Sequence, residues 1–375
     1  MPSELIVLSH LRWDWVWQRP QQLVSRMATA PHRTTWFVEE PLTPSHREVT
    51  ENRLASESVD GLTRVWLEIP EQGHHVGFVD EVLPDYLQQL PELLGEAQGE
   101  RVVWLYTPLA LEAALALKPT TLVYDVMDDL AAFEDSAPEL VMRQRQTLRK
   151  ADVVFAGGRS LHRSVVAQGR SDAILFPSGV SARHYGSGSR DASQPHERPV
   201  AGYVGVLDER LNLELLKQLA EELPDWTIRM VGPYMQIDPD SLPAAPNIEY
   251  LGKQEYDDLP GIMAQFDVAL MPFALNEATR SISPTKTLEY LAAGLPVVST
   301  RIADVVADFA EVVALRDDAA GFAAACRALL DRSPADRQRV ARIVAQNDWD
   351  QIARKMENTV FRGEDADAGT ATVGA

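Results

Sequence analysis

The chain has 375 residues, with 35 Lys and Arg against 55 Asp and Glu, a formal charge of −20, and 45% of it is hydrophobic. A surface of that sign repels nucleic acid and anionic lipid at long range, and so much apolar material excludes wholesale disorder. The one cysteine, Cys326, excludes an internal disulfide and any cysteine-based zinc cluster.

The opening MPSELIVLSHLRW lacks a basic region ahead of a short apolar run, so it does not read as a secretory signal. No run approaches the roughly 18 apolar residues of a membrane span. A cytoplasmic protein is expected, with peripheral contact at a membrane surface left open. ELIVLSH (4–10) predicts a strand, and Pro20 fits the first turn of a helix with Leu23, Val24 and Met27 on one face. TTWFVEE, RVVWLYTP and TLVYDVMDD predict further strands, followed by a charged helix over 138–150, a strand at 152–158, a helix in RSLHRSVVAQG and a strand at 173–179. Continuous apolar strands separated by helices imply a parallel sheet covered on both faces.

Residues 186–198, GSGSRDASQPHER, carry Gly, Ser, Pro and charge without apolar period and read as a linker. The plan then restarts with strands expected at 199–207, 226–232, 247–252, 266–273, 296–300 and 311–316. The expected organisation is a first domain over 1–185, a second over 199–346, a helix in 347–362 packing back on the first, and a disordered tail over 363–375. The fold class is α/β, with two Rossmann-like doubly wound domains facing across a cleft. Ligands of such sheets bind at the carboxyl ends of the strands, so the cleft is the expected site.

SISPTKTLEYLAAGLPVVST (281–300) predicts a helix capped by Ser283, with Pro284 as its first residue and Gly294 as its stop. Lys286 then falls in the first turn, where the helix dipole disfavours a cation unless an anion is present. A phosphate would meet free backbone N–H groups, the dipole and an ammonium together. Glu289, three residues on, shares that face and can accept from ribose hydroxyls. A surface ion pair between Lys286 and Glu289 is the plainer alternative.

P-T-K-T-L-E-Y-L-A-A-G-L-P-V-V-S-T resembles the C-terminal nucleotide-sugar motif of GT-B glycosyltransferases, especially the family-4 type. A-G-Y-V-G-V-L-D-E-R-L-N (201–212), V-Y-D-V-M-D-D (123–129), A-D-V-V-F-A-G-G-R-S-L (151–161) and F-P-S-G-V (176–180) extend the likeness. The opening S-H-L-R-W-D-W-V-W-Q-R-P-Q-Q-L (9–23) resembles a bacterial branch that includes domains fused to sugar-nucleotide mutases. The resemblance implies transfer of a sugar from a nucleotide-diphosphate sugar to a glycan or lipid-linked acceptor, usually with retention, in cell-surface polysaccharide synthesis. It implies no cofactor beyond the donor and no nucleic-acid partner. The family's first motif acid corresponds here to Ser281, which can donate a hydrogen bond to the donor sugar instead; Glu277 is out of register.

The resemblance places Arg210 on the donor diphosphate, with Arg280 as a weaker third cation, and groups Gly205, Ser281, Ser283 and Thr285 with Lys286 and Glu289 as donor-binding residues. A pair between Arg210 and Asp208 or Glu209 is the alternative. With such cations no metal is required, and Asp238-Pro-Asp240 reads as a turn. On the acceptor side, Asp128 and His10 are the candidate catalytic groups, orienting an acceptor hydroxyl or acting as general base, with Asp129 beside them. Arg19 is expected to bind an acceptor phosphate or carboxylate, or else Asp14. Trp13, Trp15 and Trp17 are expected mainly to pack their loop onto its own domain, with sugar stacking as the alternative. Ser178 and Gly179 are expected to line the cleft or simply form a turn. A sugar-nucleotide epimerase and a non-catalytic nucleotide-sugar or partner-binding protein are the competing functions.

Overall fold

A computed structural model of the protein describes residues 2–70, 77–128, 138–188, 197–235, 237–276, 279, 282, 285–330 and 334–361, with 334–336 as backbone only. Most of the expected linker, the whole of 363–375, and Glu277, Arg280, Ser281, Ser283, Pro284 and Asp129 lie outside the described residues.

The first sheet comprises β1 (Ser3–Ser9), β2 (Arg33–Glu39), β3 (Arg53–Val59), β4 (Leu62–Glu68), β5 (Glu100–Leu105), β6 (Thr121–Val126), β7 (Val153–Ala156) and β8 (Ile174–Leu175), in the order β3-β4-β2-β1-β5-β6-β7-β8. The second comprises β9 (Val200–Val204), β10 (Thr227–Val231), β11 (Ile248–Tyr250), β12 (Val268–Met271), β13 (Val297–Ser299) and β14 (Val313–Leu315), in the order β11-β10-β9-β12-β13-β14. Every pairing is parallel except β3 with β4. That antiparallel hairpin is an addition to the sequence reading. It turns at Asp60-Gly61, where both residues have positive φ, the geometry an Asp-Gly hairpin turn requires.

Alternation along the strands explains why they read as unbroken apolar runs. Ile6 and Leu8 face one core of the first sheet while Leu5 and Val7 face the other. Val103 and Leu105 divide from Val102 and Trp104 in the same way. The second face is closed by the helices Arg19–Met27 and Trp349–Val360; Trp349, Ile352, Met356 and Val360 of the latter pack with Leu5, Val7, Trp104 and Phe155. The chain thus recrosses to the first sheet after completing the second. Gly179 serves this crossing: a Cβ there would lie 2.7 Å from Ile352 Cδ1 and 2.8 Å from the Asn347 carbonyl oxygen.

In each sheet the strand order reverses beside the first strand of that half. β1 lies between β2 and β5, and β9 between β10 and β12. The segments leaving the carboxyl ends of β1 and β9 therefore meet at the cleft. No helix among the described residues is long and apolar enough to cross a membrane.

Candidate functional site

A cavity of about 550 Å³ lies between the halves, within the range of about 300–1,000 Å³ typical of small-molecule sites. The segment after β1 contributes Asp14, Trp15 and Trp17, and the end of β6 contributes Asp128. The second half contributes Gly205 and Arg210 after β9, Lys253 and Tyr256 after β11, and Thr285, Lys286 and Glu289. The structure thus brings Asp128, Arg210, Lys286, Glu289, Thr285 and Gly205 to one cavity. His10 does not line it.

Lys286 is the first residue of the helix Lys286–Ala292, flanked by Thr285, whose φ of −57° and ψ of −30° already have helical values. The helix stops as its sequence predicts: Gly294 has a φ of 77°, and the Gly294 and Leu295 amides donate to the Leu291 and Tyr290 carbonyls. Tyr290 fixes its position. Its buried hydroxyl accepts from the Val204 amide at 2.8 Å and donates to the Val204 carbonyl at 3.2 Å, which pins the helix to the end of β9. Lys286 consequently runs over the backbone of Gly205. A Cβ at Gly205 would lie 1.9 Å from Lys286 Cε and 2.8 Å from Nζ, so only glycine leaves room for the lysine on this path.

Burial lowers the Lys286 pKa, against the raising effect of Glu289; Arg210 lowers it further, while Asp208 and Asp128 raise it. Burial raises the Glu289 pKa, against Lys286 and hydrogen bonds from Tyr185 and Thr285. The lysine and the glutamate both line the cavity wall, part-exposed, and each charge favours the other. Arg210 answers the sequence question in a mixed way. It is paired with Asp208, Nε lying 3.0 and 2.9 Å from the two carboxylate oxygens and Nη2 also bonding Oδ2. Burial works against the Arg210 charge, yet Asp208 holds its pKa above the ordinary value, and the guanidinium still fronts the cavity facing Asp128.

The first half calls for corrections. Arg19 lines the cavity, but its guanidinium is already partnered. It is 2% exposed, its Nε donates to Asp125 at 2.8 Å, and its Nη1 donates to the Phe176 carbonyl at 2.9 Å. Its distance in sequence from Asp125 hid that partner; Asp14, the expected one, pairs with Arg64 instead. The tryptophans also divide. Trp13 packs within its own half against Phe37, 5.1 Å between centroids, and donates to Asp60. Trp17 instead stacks on Tyr256 of the second half at 5.2 Å and 21°. Trp15 is 36% exposed, with Lys253 Nζ 4.8 Å from its ring centre. His10 follows β1 with Nδ1 enclosed and unpartnered, and burial pulls its pKa down to about 4, against a hydrogen bond to the Tyr106 backbone. Ser178 lines the cavity, and Asp238 caps the exposed turn Pro239–Ser241 by accepting from the Asp240 amide.

Tyr185, Tyr203, Lys253 and Tyr256 are site residues the sequence reading did not name. Lys253 and Tyr256 follow the carboxyl end of β11, so the strand-end rule could have flagged them. Tyr185 carries no local signal.

Residues 198–332 match the family described as Glycosyl transferases group 1. Over 305 residues, 72% of this chain and 76% of the relative, the sequence is 25% identical to the protein of Bacillus subtilis (strain 168) named "Putative teichuronic acid biosynthesis glycosyltransferase TuaH". Among solved structures, sucrose-phosphate synthase from Thermosynechococcus elongatus superposes with a TM-score of 0.72 at 16% identity, covering 96% of this chain and 98% of that one. Anabaena HepE, solved in complex with UDP and glucose, gives 0.65 at 13% identity over 95% and 98%. The structural likenesses establish the fold, and with the family match and the TuaH relative they lead to one conclusion: the chain is a glycosyltransferase of the GT-B fold.

Proposed function

We propose that the cavity binds a nucleotide-diphosphate sugar and transfers its sugar, with retention and without a required metal, to a glycan or lipid-linked acceptor of cell-surface polysaccharide synthesis. The observation carrying this reading is the meeting of Arg210, Lys286 and Glu289 with Asp128 in one cavity between the halves. Charge builds on the departing diphosphate in the transition state, and preorganised cations in an enclosed site are what stabilise it. Lys286 and Arg210 take that role, Gly205 letting the lysine reach the phosphates. Glu289 accepts from the ribose hydroxyls. Ser281, Ser283 and Thr285 belong to the same donor set in this reading. Asp128 approaches from the other half and orients the acceptor hydroxyl; His10, held neutral by burial, and Asp129 complete the acceptor-side set of this reading.

We further divide the labour by domain: 199–346 holds the donor, and 1–185, completed by the helix in 347–362, receives the acceptor. UDP is the first nucleotide to test, since HepE is described in complex with it. The discriminating experiment is thermal shift with UDP, GDP and dTDP, followed by product analysis with the matching sugars. Stabilisation by one diphosphate together with transfer or slow donor hydrolysis is expected. Isomerised donor without transfer would favour an epimerase. Failure of every diphosphate to raise the melting temperature would overturn the reading.

A further inference from the structure

We infer that Asp304 is a positioning residue for transfer: from the second half it caps a helix of the first, and so holds Asp128 opposite the donor cations. The inference rests on the donor reading above and names a residue that reading does not use. The helix Arg159–Ala167 starts shortly after β7. Its N-cap is Gly158, which has no side chain to accept from the first-turn amides. The acceptor comes from 144 residues away, in the other half. The Ser160 amide donates to Asp304 Oδ1 at 3.0 Å and to Oδ2 at 3.3 Å, and the Ser160 hydroxyl donates to Oδ1 at 2.6 Å. That hydroxyl accepts in turn from Arg163 Nη2 at 2.6 Å. Beside this contact Arg159 Nε donates to Asp308 at 2.5 Å. Asp304 is 2% exposed and Ser160 6%, so the carboxylate is shut in between the halves. Its own helix, Ala303–Phe309, has Ile302 at the N-cap and no side-chain cap. Asp304 lies in the first turn of that helix, yet its carboxylate serves the helix of the other half.

Both ends of this clasp are tied to the cavity walls. The Gly157 amide donates to the Val126 carbonyl at 2.8 Å, at the end of β6 and just before Asp128. On the other side the Thr300 amide, after β13, donates to the Met271 carbonyl at 3.1 Å. Met271 Sδ accepts from the Thr287 hydroxyl at 3.4 Å, next to Lys286. A second contact between the halves holds Tyr256: its ring stacks on Trp17 at 5.2 Å, and its hydroxyl accepts from Gln22 Nε2 at 2.9 Å. Two contacts resist a hinge motion that one would permit. Of the two, the Asp304 clasp is the one built on a buried carboxylate, and charge-assisted hydrogen bonds are the stronger kind.

Three measurements on the full chain test this: small-angle X-ray scattering without ligand, UDP affinity by calorimetry, and UDP release from UDP-glucose and UDP-glucuronate. Asp304→Ala is expected to enlarge the radius of gyration and to lower kcat for UDP release by about tenfold, the worth of one hydrogen bond to a charged group. UDP affinity should stay near the wild-type value, because Arg210, Lys286 and Glu289 all belong to the second half. Asp304→Asn keeps an oxygen that accepts from the Ser160 amide, and it should recover most of both losses. Ser160→Ala, in the other half, should act in the same direction by a smaller amount and add little to Asp304→Ala. It also keeps the test open should Asp304→Ala not fold. An unchanged kcat in both variants, whatever the radius, overturns the inference and leaves the donor reading intact. So does a UDP affinity that falls in step with kcat, the mark of a general loss of structure. UDP neither bound nor released by the wild type overturns the donor reading and the positioning role together.

Discussion

The two halves treat their cations differently. In the first half, several arginines near the strand ends are consumed by carboxylates of the same half. Arg19 meets Asp125, Arg64 meets Glu39, Glu57 and Asp14, and Arg101 meets Glu4 at 2.6 Å. In the second half, Lys286 and Arg210 each have an acidic neighbour yet stay part-exposed at the cavity, whereas Arg19 lines its wall with the side chain fully buried. Sharing one architecture, the halves differ in whether a positive charge stabilises the fold or remains available to a ligand. On the proposed reading, a strongly acidic protein holds an anion by local placement alone.

The sharpest way to break this comparison is to remove one cation from each half. Arg19→Met leaves Asp125 buried without its counter-ion, and about 3–5 kcal/mol of stability should be lost, seen as a large fall in Tm. Lys286→Ala should act mainly on activity, lowering kcat/KM on the order of 10²- to 10³-fold, as loss of a group that stabilises transition-state charge does, with a smaller Tm loss than Arg19→Met because the part-exposed Glu289 left behind can take up a proton. Equal Tm losses in the two variants would erase the distinction between the halves. Gly205→Ala should fall between, because its methyl group collides with the Lys286 side chain. Overpacking of about 1–3 kcal/mol predicts a rise in donor KM of about tenfold or more.

The smallest expected effect is a narrowing of pH dependence. Lys286 loses its proton at lower pH than an unperturbed lysine, so UDP affinity should fall as pH rises through that lowered pKa. Glu289 gains its proton at higher pH than an unperturbed carboxyl, so affinity should also fall on the acid side. The plateau should lie inside the window from 4.5 to 10.5 that the unshifted groups would give. A plateau filling that whole window would show that neither group is enclosed in solution.

How much was legible in the sequence follows from how local each signal is. The parallel strands declared themselves because both of their faces are buried, leaving continuous apolar runs such as ELIVL and VALM. The β3–β4 hairpin did not, since RLASESV lies at the sheet edge with much of its length exposed, although Asp60-Gly61 marked its turn. Lys286 and Glu289 stood out because a cation in a first helical turn conflicts with local physics. Arg210 stood out only through family resemblance, and the Asp208 partner offered as the alternative is present in a side chain that also lines the cavity. Tyr185 could not be read, nor could the stacking of Trp17 on Tyr256, because that contact joins two halves brought together only by folding. Arg19 misled for the same reason: its partner lies 106 residues away.

The recrossing helix Trp349–Val360 carries a consequence for biogenesis. As the chain emerges from the ribosome, the face of the first sheet bearing Leu5, Val7, Trp104 and Phe155 lacks part of its cover until that segment arrives, after the whole of the second sheet. Folding of the first half therefore finishes last, and a nascent chain halted before position 349 presents an unsealed apolar surface of the kind that chaperones hold.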